Sequence, residues 1–419
     1  MITAMTATSM TARAVIGTAN AAGRTLRHLG VQPIRLDERS LLETACRETR
    51  LDDFGDEGFR EPLRLILRGL ETEARLTTLG RIAARRDLIG LLTNRLRLAE
   101  DRKRHPAIAE ERVRRPLFII GLPRTGTTLL HHLVAQDPAS RVAQAWEVMA
   151  PSPPPARMSY ATDPRIAQAE RKQRWLDWLA PDFKTIHPLG AQLAIECIAI
   201  LSHSFLSSRF HTTYRLPSYQ AWLKEQDLVP AYRLHRRFLQ HLQWRVPAER
   251  WVLKAPAHFY ALGALFATYP DAHVVQTHRD PRPVLGSVAS LTLVLQQAFA
   301  ERLDLGEIGL EVMRSWSDGL ANAMRFRSEG GIPNERFFDV RYQELVRDPI
   351  ATIQQIYAHF DMPFSRDAER LMRSHLAAYP QNKHGRHQYD LETFGLDDTS
   401  LERQFRSYRE FFAIEPDPA

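Results

Sequence analysis

The sequence predicts an α/β fold: a P-loop-like parallel sheet flanked by helices, with an N-terminal helical region and a helical insertion over the active site. Three observations lead there. Leu117–Ile120 is a short continuous apolar run, as expected of a strand buried on both faces. It runs into "GLPRTGTT", where Gly121 and Gly126 stand five apart like the glycines of a phosphate loop. Further on, "HVVQT" followed by "HRDP" and a helical run repeats the order strand, turn, helix.

Size and composition set the limits. A chain of 419 residues, 44% apolar and 25% charged, has material for one large α/β domain with additions, or for two domains. Its formal net charge of +7 favours anionic ligands. The basic residues are interleaved with acids along helices, so nucleic acid is not expected as a partner. Cys46 and Cys197 are too few for a disulfide scaffold or a cysteine-built metal site and fit a reducing, cytoplasmic setting. No apolar stretch reaches the roughly 18 residues of a membrane span. The first thirty residues, rich in Thr, Ala and Arg with no acid before Asp37, read as a frayed, partly helical start in preference to an organellar signal.

Residues 1–114 form the N-terminal helical region. Leu and Ile recur at three- and four-residue intervals through 38–104, which predicts about three helices, with Asp53 or Asp56 as a cap for the second stretch. The pattern breaks at Pro106, and a second domain is expected over 115–419. Its first unit is strand, loop and helix: "TTLLHHLVAQ" has helical spacing, so Gly126, Thr127 and Thr128 fall at a helix N-terminus, where unpaired N–H groups favour an anion. Arg124 sits inside the loop. Thr127 stands where a phosphate loop of an NTPase has lysine. His131 and His132 lie in this helix without matched ligand spacing, so no metal is expected there.

"WEVMAPSPPPAR" marks a proline-rich boundary, and residues 155–250 read as helices carrying Trp175, Trp178, Phe183, Phe205, Phe210, Trp222 and Phe238 at apolar spacing. A helix from about Phe259 to Tyr269, a turn at Pro270 and Asp271, and a strand His273–Thr277 come next. Arg279 then leaves the C-terminal end of that strand, and Ser287 lies eight residues on, in a helix beginning near Pro283. Ligands of open α/β sheets bind at that edge. Two phosphate-binding positions there imply a ligand with phosphates at two places.

These stretches resemble the sulfotransferase family, in particular its bacterial-type members. "LPRTGTT" is similar to the family's 5′-phosphosulfate loop, Arg279 and Ser287 reproduce the Arg-x7-Ser spacing of its 3′-phosphate site, and "DVRYQELVRDPIATIQQIYAHFDMPF" resembles its tyrosine-bearing strand and following helix. The resemblance runs from about residue 115 to about 397. It implies 3′-phosphoadenosine 5′-phosphosulfate (PAPS) as sulfuryl donor, in-line transfer without metal to a hydroxyl or amine acceptor, and a small-molecule, lipid or phenolic acceptor. Arg124, Thr125, Gly126, Thr127 and Thr128 would hold the phosphosulfate, Arg279 and Ser287 the 3′-phosphate, and Tyr342 the adenine. Arg124 would do the work of the missing lysine on the leaving phosphate. Leu129 replaces the tryptophan that stacks on adenine in cytosolic members. Lys383 and Arg386, in "NKHGRHQ", would stand in for those members' R-K-G-x-x-G stretch.

For the base that takes the acceptor's proton the resemblance offers two residues. Glu147 matches the glutamate bases of carbohydrate and protein-tyrosine sulfotransferases and is placed first; His258 lies near the catalytic histidine of cytosolic ones, with Lys254 beside it on the donor's bridging oxygen or sulfuryl. Aromatics at the insertion's spacing are more often core than cofactor box; the second reading is that they line an apolar acceptor pocket. Two other classes stay open on the residues alone: a P-loop nucleotide kinase or NTPase, against which the missing lysine counts, and a non-catalytic nucleotide-binding protein.

Overall fold

A computed structural model describes residues 34–179, 190–247, 249–379 and 391–417, with isolated positions between 17 and 29. Five strands form one parallel sheet: β1 (Leu117–Gly121), β2 (Ser140–Arg141), β3 (Arg250–Lys254), β4 (His273–His278) and β5 (Phe337–Arg341), in the order β2-β3-β1-β4-β5. β1 is central and buried along its length. Leu117 pairs in register with Val252 on one side and His273 on the other. The period of two along β1 sorts its side chains between two cores. Phe118 and Ile120 join Leu253, Val274 and Phe259 on one face, and Leu117 and Ile119 join Val252, Val275, Leu130 and Ile353 on the other.

All five strands run the same way, so the chain leaves β1, β3, β4 and β5 at one edge of the sheet. The segments carrying Arg124, Lys254, Arg279 and Tyr342 are therefore neighbours by topology. The strand after Tyr269 extends one residue further than the sequence predicts, to His278, and the next helix starts at Pro281, where Asp280 accepts from the N–H of Arg282. A 3₁₀ segment, Pro256–Ala261, precedes a short helix Leu262–Thr268 where the sequence predicts one helix, because Pro256 imposes its own start.

Between residues 34 and 114 the N-terminal region holds the α-helices Glu38–Thr49, Arg60–Thr72 and Thr78–Arg104. Asp56 caps the turn that leads into the second; Asp53 bonds Gly55 and pairs with Lys103 instead. Their apolar faces do not close on themselves. Leu63, Ile66, Leu88 and Leu92 share a core with Phe205, Phe210, Leu216 and Tyr219 of the insertion. Each fully buried side chain of this size stabilises by about 1.5–3 kcal/mol, so the helical region and the insertion hold each other in place. Of the two readings of the insertion's aromatics, core and pocket, these residues follow the first: Phe205, Phe210 and Phe238 are buried core, and Trp222 packs on the same core as Phe205 and Phe210. The side chains of Trp175, Trp178 and Phe183 lie outside the described residues.

Candidate active site

The loop after β1 is shaped from within. Gly121 has φ of 150°, and a Cβ there would lie 2.0 Å from Oγ1 of Thr277 on β4. Thr125 is fully buried; its hydroxyl donates to the carbonyl of Leu122 at 2.6 Å and sits 2.5 Å from the Thr277 hydroxyl. Thr125 therefore fastens the loop to β4, and its side chain points inward. Arg124 adopts φ of 68°, a left-handed conformation that costs a non-glycine residue roughly 1–2 kcal/mol. Such strain concentrates at ligand sites. Gly126, with φ of 88°, is the N-cap of the helix Thr127–Val134, and no side chain caps that helix. Its first N–H groups and dipole end face outward from the sheet edge, as anion binding requires.

β3 delivers the second cation. Lys254, its last residue, is 2% exposed; its ammonium donates to Oγ1 of Thr128 at 3.3 Å and to Oε1 of Glu196 at 2.5 Å. Glu196 stands just before the helix Cys197–Leu201. Sequence reasoning missed it, because it lies among the insertion's apolar residues and belongs to no spaced motif.

β4 delivers the third. Arg279 donates from Nη1 to the carbonyl of Arg124 at 3.2 Å, and its guanidinium carbon lies 4.1 Å from the ring centroid of Tyr342. Its Nε donates to Asp417 at 2.7 Å. Tyr342 opens the helix Tyr342–Arg347 directly after β5 and is not part of the strand. Ser287, in the helix Pro281–Gln297, is buried, and its hydroxyl has no hydrogen-bond partner among the described residues. Arg124, Gly126, Thr127, Thr128, Lys254, Arg279 and Tyr342 thus gather at one edge.

The two expected bases are each buried with partners of their own. Glu147 is fully buried in the helix Ala145–Met149 with both oxygens engaged: Oε1 accepts from Arg141 at 2.7 Å and Oε2 from the N–H of Gln144 at 2.9 Å. It closes a capping box and an ion pair. His258 is also fully buried; Nδ1 lies 2.5 Å from the Tyr232 hydroxyl, and its ring meets Phe118 edge-on at 5.1 Å. Burial pushes its imidazole well below the usual range. Neither residue hydrogen-bonds to the loop, Lys254 or Arg279. Lys383 and Arg386 lie outside the described residues. Among the described residues no cluster of His, Cys, Asp or Glu is disposed to hold a metal ion.

The model of the family described as the sulfotransferase family matches residues 116–366, a span that includes the loop, Lys254, Arg279 and Tyr342. The chain belongs to the sulfotransferase family. As a sulfotransferase it is an enzyme, and its fold agrees with that of solved relatives. Sulfotransferase STF9 from Mycobacterium avium superposes with a TM-score of 0.85 at 30% identity, covering 93% of this chain and 100% of that one. STF1 from Mycobacterium tuberculosis H37Rv does so with a TM-score of 0.81 at 33% identity, covering 90% and 100%. A curated relative from Mycobacterium bovis, the omega-hydroxy-beta-dihydromenaquinone-9 sulfotransferase Stf3, is 25% identical over 291 residues, 68% of this chain and 72% of its own. No helix among the described residues is long and apolar enough to cross a membrane.

Proposed function

We propose that this sulfotransferase takes its sulfuryl group from PAPS and transfers it to a hydroxyl on a lipid-like or phenolic acceptor. One observation carries the donor assignment: Arg279 bonds the backbone of the phosphate loop at Arg124 while lying against Tyr342. A single cation thereby links the 5′ end of the donor site to its 3′ end, with Ser287 in the following helix as the second 3′-phosphate ligand. The uncapped N-terminus of Thr127–Val134 and the hydroxyls of Thr127 and Thr128 suit the phosphosulfate, and Thr125 acts on it through the loop's shape. Lys254 reaches the same point through Thr128. As the S–O bond to the donor breaks, charge grows on the 5′-phosphate, and Lys254 and Arg124 offset it where an NTPase uses lysine and metal.

For the acceptor, a groove of about 820 Å³ is lined in part by Ala257 and Phe259, in the segment after Lys254, and by Ile198 and Leu201, in the helix after Glu196. Leu262 and Phe326 also line it. The apolar part of this lining suits an apolar alcohol, the class named for the M. bovis relative, while Lys224, Glu225, Asp318, Arg325 and Glu329 bring charge to the rest of it. Cys46 and Cys197 are both free thiols, consistent with action in the cytoplasm. The test is transfer of labelled sulfate from PAPS to a panel of lipid alcohols, phenols and polysaccharides. Labelled lipid alcohol or phenol is expected; preferential labelling of polysaccharide would overturn the acceptor class, and Mg²⁺-dependent ATP turnover without sulfate transfer would overturn the donor.

A further inference from the structure

We infer that the C-terminal tail is a built-in competitor for the donor's 3′-phosphate: Asp417 holds Arg279 until a nucleotide carrying that phosphate displaces it. The inference rests on Arg279 being the 3′-phosphate ligand. Among the described residues its guanidinium meets the Arg124 carbonyl at 3.2 Å, the Tyr342 ring at 4.1 Å and the Asp417 carboxylate, 2.7 Å from Nε. The first two belong to the donor site itself. The third comes from 138 residues away and carries the same sign of charge as the phosphate. A carboxylate and a phosphate recognise the same fork of N–H groups, and two anions on one guanidinium repel each other, so each disfavours the other.

The chain around Asp417 is built as an anchor and a hook. The helix Asp398–Phe412 is the anchor: Phe405 and Tyr408 are buried in the core, the Tyr408 hydroxyl lies 3.1 Å from Nδ1 of His278, and Arg409 pairs with Asp280 at 2.7 Å. Ala413 ends the helix with φ of 49°, its carbonyl accepting from Arg341 at 2.7 Å, and Ile414 packs on the core. Glu415 and Pro416 are then exposed. Asp417 is held through polar contacts, with Arg279, with Gln343 at 3.0 Å, and with Asp280, which accepts its N–H at 3.2 Å. A segment with so little apolar burial opens at low cost while the helix behind it stays in place.

The tail therefore sets the affinity for nucleotides with a 3′-phosphate and leaves those without one unaffected. Apparent affinity falls with the fraction of molecules whose Arg279 is free. Adenosine 3′,5′-bisphosphate, the nucleotide left after transfer, is weakened in the same way as the donor, so the tail limits product inhibition too.

The experiment is calorimetry of adenosine 3′,5′-bisphosphate and of AMP on the parent, Asp417→Asn and Gln343→Ala, beside hydrogen exchange of the parent's C-terminal peptide from Ala413 onward. The bisphosphate should bind Asp417→Asn about threefold to tenfold tighter and Gln343→Ala tighter by a smaller factor, while AMP changes by less than about twofold on either. Saturating bisphosphate should speed exchange in the C-terminal peptide, and AMP should not. Bisphosphate binding to Asp417→Asn that is unchanged or weaker, AMP binding that tightens by the same factor, or exchange that the bisphosphate leaves unchanged or slows would each overturn the inference. A parent that prefers the bisphosphate to AMP, with variants that do so no more strongly, fails the tail alone. A parent without that preference fails the donor reading.

Discussion

Asp417 places its carboxylate 2.7 Å from Nε of Arg279, the residue that also bonds the phosphate loop. The tail is held there by Gln343, which donates to the other Asp417 oxygen at 3.0 Å, and by Asp280, which accepts from the Asp417 N–H at 3.2 Å. A phosphate arriving at Arg279 meets a carboxylate already there. Asp417→Asn is therefore expected to tighten adenosine 3′,5′-bisphosphate about threefold to tenfold by calorimetry, a modest gain because the pair is partly exposed. Unchanged or weaker binding would mean that the tail helps to hold the ligand.

Arg124 lies in the loop with a strained backbone and an exposed side chain. Its charge is needed most when the leaving phosphate develops its own. Arg124→Ala should lower kcat by about 100-fold while changing donor affinity by less than about tenfold. Steady-state kinetics beside calorimetry separate the two, and an unchanged kcat would remove Arg124 from transition-state stabilisation.

Gly126 combines φ of 88° with close neighbours: a Cβ would lie 2.7 Å from Cδ2 of Leu345 and 3.4 Å from Cδ2 of Tyr342. Gly126→Ala should strain the loop and turn the first helical N–H groups away from the ligand. The expected result is at least a tenfold loss of adenosine 3′,5′-bisphosphate affinity with a melting temperature lowered by a few degrees, since the strain is of order 1–3 kcal/mol. Thermal melts with and without ligand read both.

Stability should fall on the acid side through buried histidines, His203 and His235 among them. His203 bonds the carbonyl of Ile200 through Nδ1 and meets the side-chain amide of Asn94 at Nε2; His235 pairs with the Tyr269 hydroxyl. Burial pushes their pKa values down from 6.5 to about 4 and about 3. Below about pH 6.5 the unfolded chain binds protons that the folded one does not, so each histidine removes roughly one kcal/mol per pH unit as pH falls toward its folded value. Urea midpoints should drop from pH 7 to pH 5, and His235→Gln should flatten that slope; a midpoint independent of pH would contradict the assignment.

The parts of the site legible in the sequence were those with local geometry. Gly121 and Gly126 announce a loop because only glycine tolerates those conformations and approaches, and the apolar run into that loop marks β1. Arg279 and Ser287 are read from one strand end and one helix. What the sequence did not show is pairing across the fold. Glu196 meets Lys254 from 58 residues away, and Asp417 meets Arg279 from 138. No periodicity reports such contacts. The same limit hides the partners of Glu147: its spacing from the loop matches a family pattern for a base, and its oxygens accept from Arg141 and the Gln144 N–H. The insertion's aromatics were ambiguous because an apolar residue at helical spacing serves a core and a pocket equally, and only the packing of Phe205 and Phe210 against the N-terminal helices decides for the core.

The central claim, a donor site built for a nucleotide with phosphates at both its 5′ and 3′ positions, is tested most directly by calorimetry of adenosine 3′,5′-bisphosphate against AMP on the parent protein and on Arg279→Ala. One charge-assisted contact is worth about 1.5–3 kcal/mol, so the parent should prefer the 3′-phosphorylated nucleotide by roughly tenfold or more, and the preference should vanish in the variant. Equal affinities for the two nucleotides in the parent, or a preference that survives the loss of Arg279, would contradict it.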